Sequence, residues 1–293
     1  MAKISAKLVK ELRDMTGVGM MDAKRALEHV EGDIDRAVDH LREKGLASAA
    51  KKADRIAAEG ITASYADGNT AAIIELNSET DFVAKNEQFQ TLAKNIAKVV
   101  AENKPASMEE AMALEIDGQT VEHAIADAIN VIGENISFRR FEILTKEDGD
   151  AFGEYVHMGG RIGVVTVIEG STDEEVARDV AMHVAAINPQ YVHRDQVPAD
   201  VIEHEKSIQT EKALNEGKPE NIVEKMITGR MNRFLAEMSL TEQPFVKDPD
   251  VTVAKYVENV GGNVKEFVRF EVGEGMERRE EDFAAEVAKE MRK

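Results

Sequence analysis

The chain of 293 residues contains no cysteine and no tryptophan, and only 5% of it is aromatic. Without cysteine there can be no disulfide, no thiolate metal site and no cysteine nucleophile. Basic charge is in deficit too, with 37 Lys+Arg against 56 Asp+Glu and a net charge of −19. The shortfall is uneven: residues 1–56 carry 12 basic and 10 acidic side chains, so the acidity belongs to the remainder. Such a surface repels phosphate at long range, which argues against direct nucleic-acid binding. No apolar run approaches the roughly 18 residues of a membrane span. The opening MAKISAKLVKEL lacks the apolar stretch and cleavage site of a signal peptide. A soluble, cytoplasmic protein is the expectation.

Local motifs for chemistry are also missing. There is no GxxxxGK loop, GxGxxG fingerprint, GxSxG elbow or HExxH helix, so no catalytic residue, cofactor or metal is expected. The seven histidines never recur at helical ligand spacing, and His183, on a strongly patterned segment, reads as a satisfied core histidine. Asp148-Gly149-Asp150 is too short for a calcium loop and reads as a turn.

What is present is patterned for an α+β protein in several parts. Residues 1–45 predict a three-helix, ubiquitin-associated-like bundle. Ser5 caps a helix with Leu8, Leu12 and Met15 inward; Asp22 opens a second, and Asp33 starts a third that ends before Gly45. Residues 46–58 read as a helical linker. In 59–146 a hairpin turning at Asp67-Gly68-Asn69 precedes a helix bearing Phe89, Leu92 and Ile96. A further helix over Val121–Ile132 stops at Gly133, and a strand follows. The order recurs in 147–275, where Thr172-x-x-Glu175 caps a helix and Gly262-Asn263-Val264 before Arg269-Phe270-Glu271 echoes Gly133-Glu134-Asn135 before Arg140-Phe141-Glu142. The economical explanation is a duplicated core of two subdomains. The second copy is longer because 198–240 reads as an antiparallel helical hairpin with a seam from Ile222 to Met238. Residues 276–293 read as a charged C-terminal helix.

Two segments are odd for a plain scaffold. In Asn77–Lys85 a bulky Phe82 sits beside Asp81 in a connection rich in turn formers. Either Phe82 tucks under its own subdomain as a satellite core residue, or it is presented outward. Met20 and Met21 follow a glycine-rich break in the same way, and exposed methionine suits adaptable protein contacts.

These segments, TGVGMMDAKRAL and TDFVAKN, resemble bacterial elongation factor Ts, as do VIGENISFRR, HMGGRIGV, AMHVAA, SLTEQPFV and FVRFEVGEG. The resemblance runs in order along essentially the whole chain. It implies a nucleotide exchange factor, not an enzyme, whose partner is the GTPase elongation factor Tu in its GDP-bound and nucleotide-free states. It implies that Thr80, Asp81, Phe82 and Val83 disturb the partner's magnesium site. It further implies partner contacts at Met20, Met21, Ile132, Gly133 and His157 and at the C-terminal helix, with the hairpin as a coiled-coil insertion. Two other readings compete: a ubiquitin-associated-type adaptor, resting on residues 1–44 alone, and a hydrolase using His157 with a nearby Asp, which lacks any nucleophile motif.

Overall fold

The computed structural model describes residues 4–217 and 219–277. Its first unit is a small bundle of α1 (Ala6–Thr16), α2 (Met20–His29) and α3 (Ile34–Lys52). Ser5 caps α1 by accepting the Leu8 N–H, and Gly17 ends it at φ 69°, a left-handed conformation that glycine adopts without Cβ strain. Asp33 caps α3 through the Arg36 N–H. Val9, Leu12, Ala23, Ala26, Leu27, Val30, Ala37 and Leu41 close a core of their own.

Two details depart from the sequence reading. Val9 takes the inward position on α1, and Met15 is 60% exposed. The third helix runs through Gly45 to Lys52 rather than stopping. A Cβ on Gly45 would lie 2.3 Å from Asn130 Nδ2, so this glycine permits helix contact. What reads as a linker is therefore, as far as Lys52, the continuation of α3 against the core, where the Lys52 ammonium donates to the Ile129 carbonyl.

Next come β1 (Glu59–Asp67), β2 (Thr70–Ser78), α4 (Asp81–Ala84), α5 (Glu87–Asn103) and α6 (Met108–Ala113). A two-residue pair, β3 (Glu115–Ile116) and β4 (Gln119–Thr120), leads to α7 (Val121–Ile132) and β5 (Ile136–Thr145). β2 is the centre of an antiparallel sheet ordered β1-β2-β5, with Gly68 at φ 55° in the tight turn. The α5 and α7 faces cover one side of this sheet, with Phe89, Ile96 and Val100 fully buried over Ile74 and Leu76.

The chain then repeats that strand order. β6 (Ala151–His157) and β7 (Ile162–Glu169) form a hairpin, and α8 (Glu174–Ile187) packs on it. α8 is capped by Asp173, whose carboxylate accepts the Val176 N–H, and not by the neighbouring Thr172 expected from a T-x-x-E pattern. After the helical pair α9 (Ala199–Asn215) and α10 (Glu220–Met238) come β8 (Pro244–Phe245), β9 (Asp248–Thr252), α11 (Val253–Glu258) and β10 (Asn263–Glu271). The second sheet is ordered β10-β7-β6. α8 and α11 bury Val164 and Ile168 from its outer side.

The sheets meet face to face. Ala71, Ile73 and Leu144 of the first pack on Phe152, Val165, Val167 and Phe270 of the second, which leaves β2 buried along its whole length. The approach is close: a Cβ on Gly163 would sit 2.5 Å from Thr62 Oγ1. One polar network joins the halves. The Glu75 carboxylate, fully buried, accepts from Arg140 Nε at 2.6 Å, Arg139 Nη1 at 3.0 Å, Asn77 Nδ2 at 3.0 Å and the Gly273 N–H at 2.8 Å. Burial alone would raise this carboxyl, but the donors from Gly273, Asn77, Arg139 and Arg140 together hold it below its ordinary value.

The chain is thus a mixed α+β protein. α9 and α10 pack along each other as a hairpin, with Ala213, Val223 and Met231 buried. Its base is woven into the core, since the Met238 carbonyl accepts from both Gln190 and Tyr191 N–H groups. The helix expected over 276–293 lies outside the described residues, apart from Met276 and Glu277, which are not helical.

Candidate functional site

The central strand β2 ends at Ser78, and the chain turns through Glu79 and Thr80 into the single turn α4. Asn86 then starts α5, its side-chain oxygen accepting from the N–H groups of Gln88 and Phe89. Between β2 and this cap, Asp81–Ala84 is the one helical turn. One turn can turn only one side inward. Val83 takes it, 8% exposed in the first core, and Phe82 points outward at 79% exposure. Phe82 is therefore not a satellite core residue in the free chain.

The neighbours of Phe82 are charged. Lys85 Nζ reaches Asp81 Oδ2 at 2.7 Å, and the same ammonium lies 5.8 Å from the Phe82 ring centroid. The Lys85 hydrogen bond holds the exposed Asp81 carboxyl below its ordinary value. An aromatic ring standing in water with a carboxylate beside it is costly to leave unpartnered and poor as a catalytic constellation.

The turn is braced from across the fold. Both Glu134 oxygens are used on Thr80: Oε2 accepts its N–H at 3.0 Å and Oε1 its hydroxyl at 2.7 Å. The arrangement is reciprocal, because Glu79 Oε1 accepts the Asn135 N–H at 2.7 Å. Asn135 Nδ2 in turn donates to the Arg55 carbonyl at 2.8 Å. Glu134 follows Gly133, which ends α7 at φ 91° and is exposed, after the half-buried Ile132. The structure thus joins Thr80–Val83 to Ile132–Gly133. Nothing in the sequence singles out Glu79 or Glu134 for this, since no local signal marks a contact between positions 54 residues apart.

Met20 and Met21 open α2 at 46% and 62% exposure. The turn before them approaches α7, where a Cβ on Gly17 would lie 3.6 Å from Val131. Between bundle and core runs a cleft of about 820 Å³ lined by Met15, Val18, Arg42, Gln119, Asp127 and Asn130 among others. Burial raises the Asp127 carboxyl there, against the opposing influence of Arg42, His123 and Gln119.

His157 stands apart from these groups, at the tip of the β6–β7 hairpin. It is exposed between Val156 and Met158, which are 50% and 70% exposed, and its Nδ1 is 3.3 Å from the Tyr155 hydroxyl. That tip packs on β1, the strand α4 also touches, and Thr62 donates its hydroxyl proton to the Gly160 carbonyl at 2.8 Å. Among the described residues no group of three or more His, Asp or Glu side chains is placed to hold a metal ion. No helix among them is long and apolar enough to cross a membrane. His183 is a satisfied core histidine: Nδ1 accepts the Val246 N–H at 3.1 Å, leaving Nε2 to donate to Gln243 Oε1 at 2.9 Å.

Exposed apolar side chains held on braced turns are the kind of surface that other proteins engage. The family model described as Elongation factor TS matches residues 79–274, about two thirds of the chain, and the chain belongs to that family. The family consists of elongation factors of protein biosynthesis that serve elongation factor Tu as nucleotide exchange factors. The match takes in α4 through β10, and the adaptor reading, which rests on residues 1–44 alone, is not favoured.

Proposed function

We propose that the chain binds elongation factor Tu, both GDP-bound and nucleotide-free, and speeds GDP release by inserting Phe82 near the partner's Mg²⁺ and phosphate site. A GTPase holds its nucleotide largely through phosphate contacts and Mg²⁺, so an exchange factor needs no reacting group of its own. It needs a group that repacks the pocket and enough interface elsewhere to offset the cost. Phe82 supplies the apolar wedge. Asp81, freed from Lys85, recruits groups around the ion, while Thr80 and Val83 anchor the turn at its two ends. Met20 and Met21 hold the partner's GTPase domain, and Ile132, Gly133 and His157 add contacts along the two halves of the core.

The division of labour follows the expected modules: residues 1–45 as an anchor, 59–146 and 147–275 as the two core subdomains, and 198–240 as an accessory hairpin. The protein works in the cytoplasm and touches no nucleic acid, in keeping with its net charge of −19.

The observation that supports this reading most is the 79% exposure of Phe82 on a turn anchored by Val83 and Glu134. A ring exposed in the free protein gains by burial in a partner, about 1.5–3 kcal/mol for a whole Phe side chain. The test is release of fluorescent GDP from elongation factor Tu. Substoichiometric protein should accelerate release with turnover, and an unchanged rate would exclude exchange activity.

A further inference from the structure

We propose that Glu134 is a positioning residue for exchange, holding the Thr80–Val83 turn in the orientation that presents Phe82. The inference rests on the reading of Phe82 as the inserting group. It adds a residue that touches neither Phe82 nor any partner in the argument above.

A short helix ordinarily secures its start with the side chain of its own N-cap residue. Thr80 occupies that position on α4 with extended backbone, φ −129° and ψ 156°, yet its side chain makes no capping bond. Its hydroxyl instead donates to Glu134 Oε1, and its N–H donates to Glu134 Oε2. The orientation of α4 about β2 is therefore set in part by a carboxylate from the α7–β5 turn. Among the described residues it is the one tie from the α7 side, beside the Ser78 hydroxyl on the Thr80 carbonyl at 3.0 Å and the Gln90 amide on the Ala84 carbonyl at 3.1 Å. At four residues α4 cannot hold itself, since helix formation that short is unfavourable alone. Val83 anchors only the inner side.

Glu134 is itself held. It sits between Gly133, locked at φ 91°, and Asn135, which is buried and bonded to both Glu79 and the Arg55 carbonyl. The two turns exchange carboxylates, Glu79 to one and Glu134 to the other, so neither can shift without breaking the opposite bond. Phe82 is thereby mounted on a rigid frame that also carries Ile132 and Gly133. A push on the ring from a partner is resisted by α7 rather than absorbed by a loop. Such stiffness matters because a misplacement of about 1 Å can cost on the order of a hundredfold in rate.

Thr80 Oγ1 and Glu134 are partly buried and lie outside the apolar core, so their loss should free the turn without unfolding the domain. The test uses the full chain carrying Glu134→Ala, Glu134→Gln or Thr80→Val. Backbone ¹⁵N relaxation of the free protein reads the turn directly: order parameters at Asp81–Ala84 should fall from about 0.85 to below about 0.6 in Glu134→Ala. Stopped-flow GDP release from elongation factor Tu, titrated with factor, reads the consequence. The maximal release rate should drop roughly tenfold or more while the half-saturating concentration changes less. Glu134→Gln, keeping one acceptor oxygen, should fall between. Adding Thr80→Val to Glu134→Ala should cost little more, since both act on one contact. Phe82→Ala is the reference in the same titration. Rigid order parameters and a wild-type maximal rate in Glu134→Ala, with Phe82→Ala impaired, would overturn this inference and leave the proposed function standing. A rate loss fully accounted for by a lowered melting temperature would overturn it as well.

Discussion

Truncating Phe82 to alanine separates presentation from packing, because the two roles differ by several kcal/mol. A Phe in a core costs about 3–5 kcal/mol when cut to Ala. Phe82 is 79% exposed, so only about a fifth of its surface is covered. With about 1.5–3 kcal/mol for full burial, the loss on truncation is about 0.3–0.6 kcal/mol. For a chain of this size that is a melting shift of about 1–2 °C, against about 6–20 °C for a core residue. The same ring buried in a partner's pocket at the exchange transition state would contribute the larger figure. Losing about 1.5–3 kcal/mol there slows release roughly 10- to 150-fold. The assay is stopped-flow release of fluorescent GDP at saturating factor, alongside thermal melts of both proteins. A melting drop near 10 °C with wild-type release would refute the reasoning and return Phe82 to the core.

Three further outcomes are expected. Gly45→Leu should force α3 off Asn130, an overpacking cost of about 1–3 kcal/mol, and weaken affinity for elongation factor Tu by detaching the Met20–Met21 anchor. Unchanged affinity by titration calorimetry would place Met20 and Met21 outside the interface. Replacing residues 204–230 with a Gly/Ser linker, which spares the Met238 base, should leave the core folded and GDP release intact; a folded but inactive variant would make the hairpin part of the exchange machinery. Burial lowers the His183 imidazole, with the Gln243 bond opposing, so its neutral form stabilises the fold above the unfolded pKa of about 6.5. That contribution is lost as pH falls toward the lower folded value, so the urea midpoint should decline from pH 7 to pH 5, and His183→Gln should remove much of the slope.

Elements bounded by local signals were legible in the sequence. α7 runs over Val121–Ile132 as expected because its cap, Thr120, and its stop, Gly133, both act within a few residues. The hairpin at Gly68 is of the same kind. The misreadings involve distant partners or competing local ones. Gly45 looks like a helix stop until Asn130 is known to lie against it. The apolar run of β2 is that of a buried strand, as found, though nothing within it names the second sheet as its cover. Thr172 loses the cap of α8 to its neighbour Asp173. Phe82 is the instructive case, since residue types near it allowed both burial and display. What decides is which side of a one-turn helix faces inward, and two of the bonds orienting that turn come from the distant Glu134.

If Phe82 and the nucleotide compete for one pocket, binding of this protein and of GDP–Mg²⁺ to elongation factor Tu must be antagonistic by a single, reciprocal factor. Titration calorimetry measures it in both directions: the affinity of this protein for elongation factor Tu with and without saturating GDP–Mg²⁺, and the affinity of GDP–Mg²⁺ with and without this protein. The account predicts that each weakens the other by the same factor, and that Phe82→Ala shrinks that factor. Affinity for elongation factor Tu that is the same with and without GDP–Mg²⁺ would contradict it.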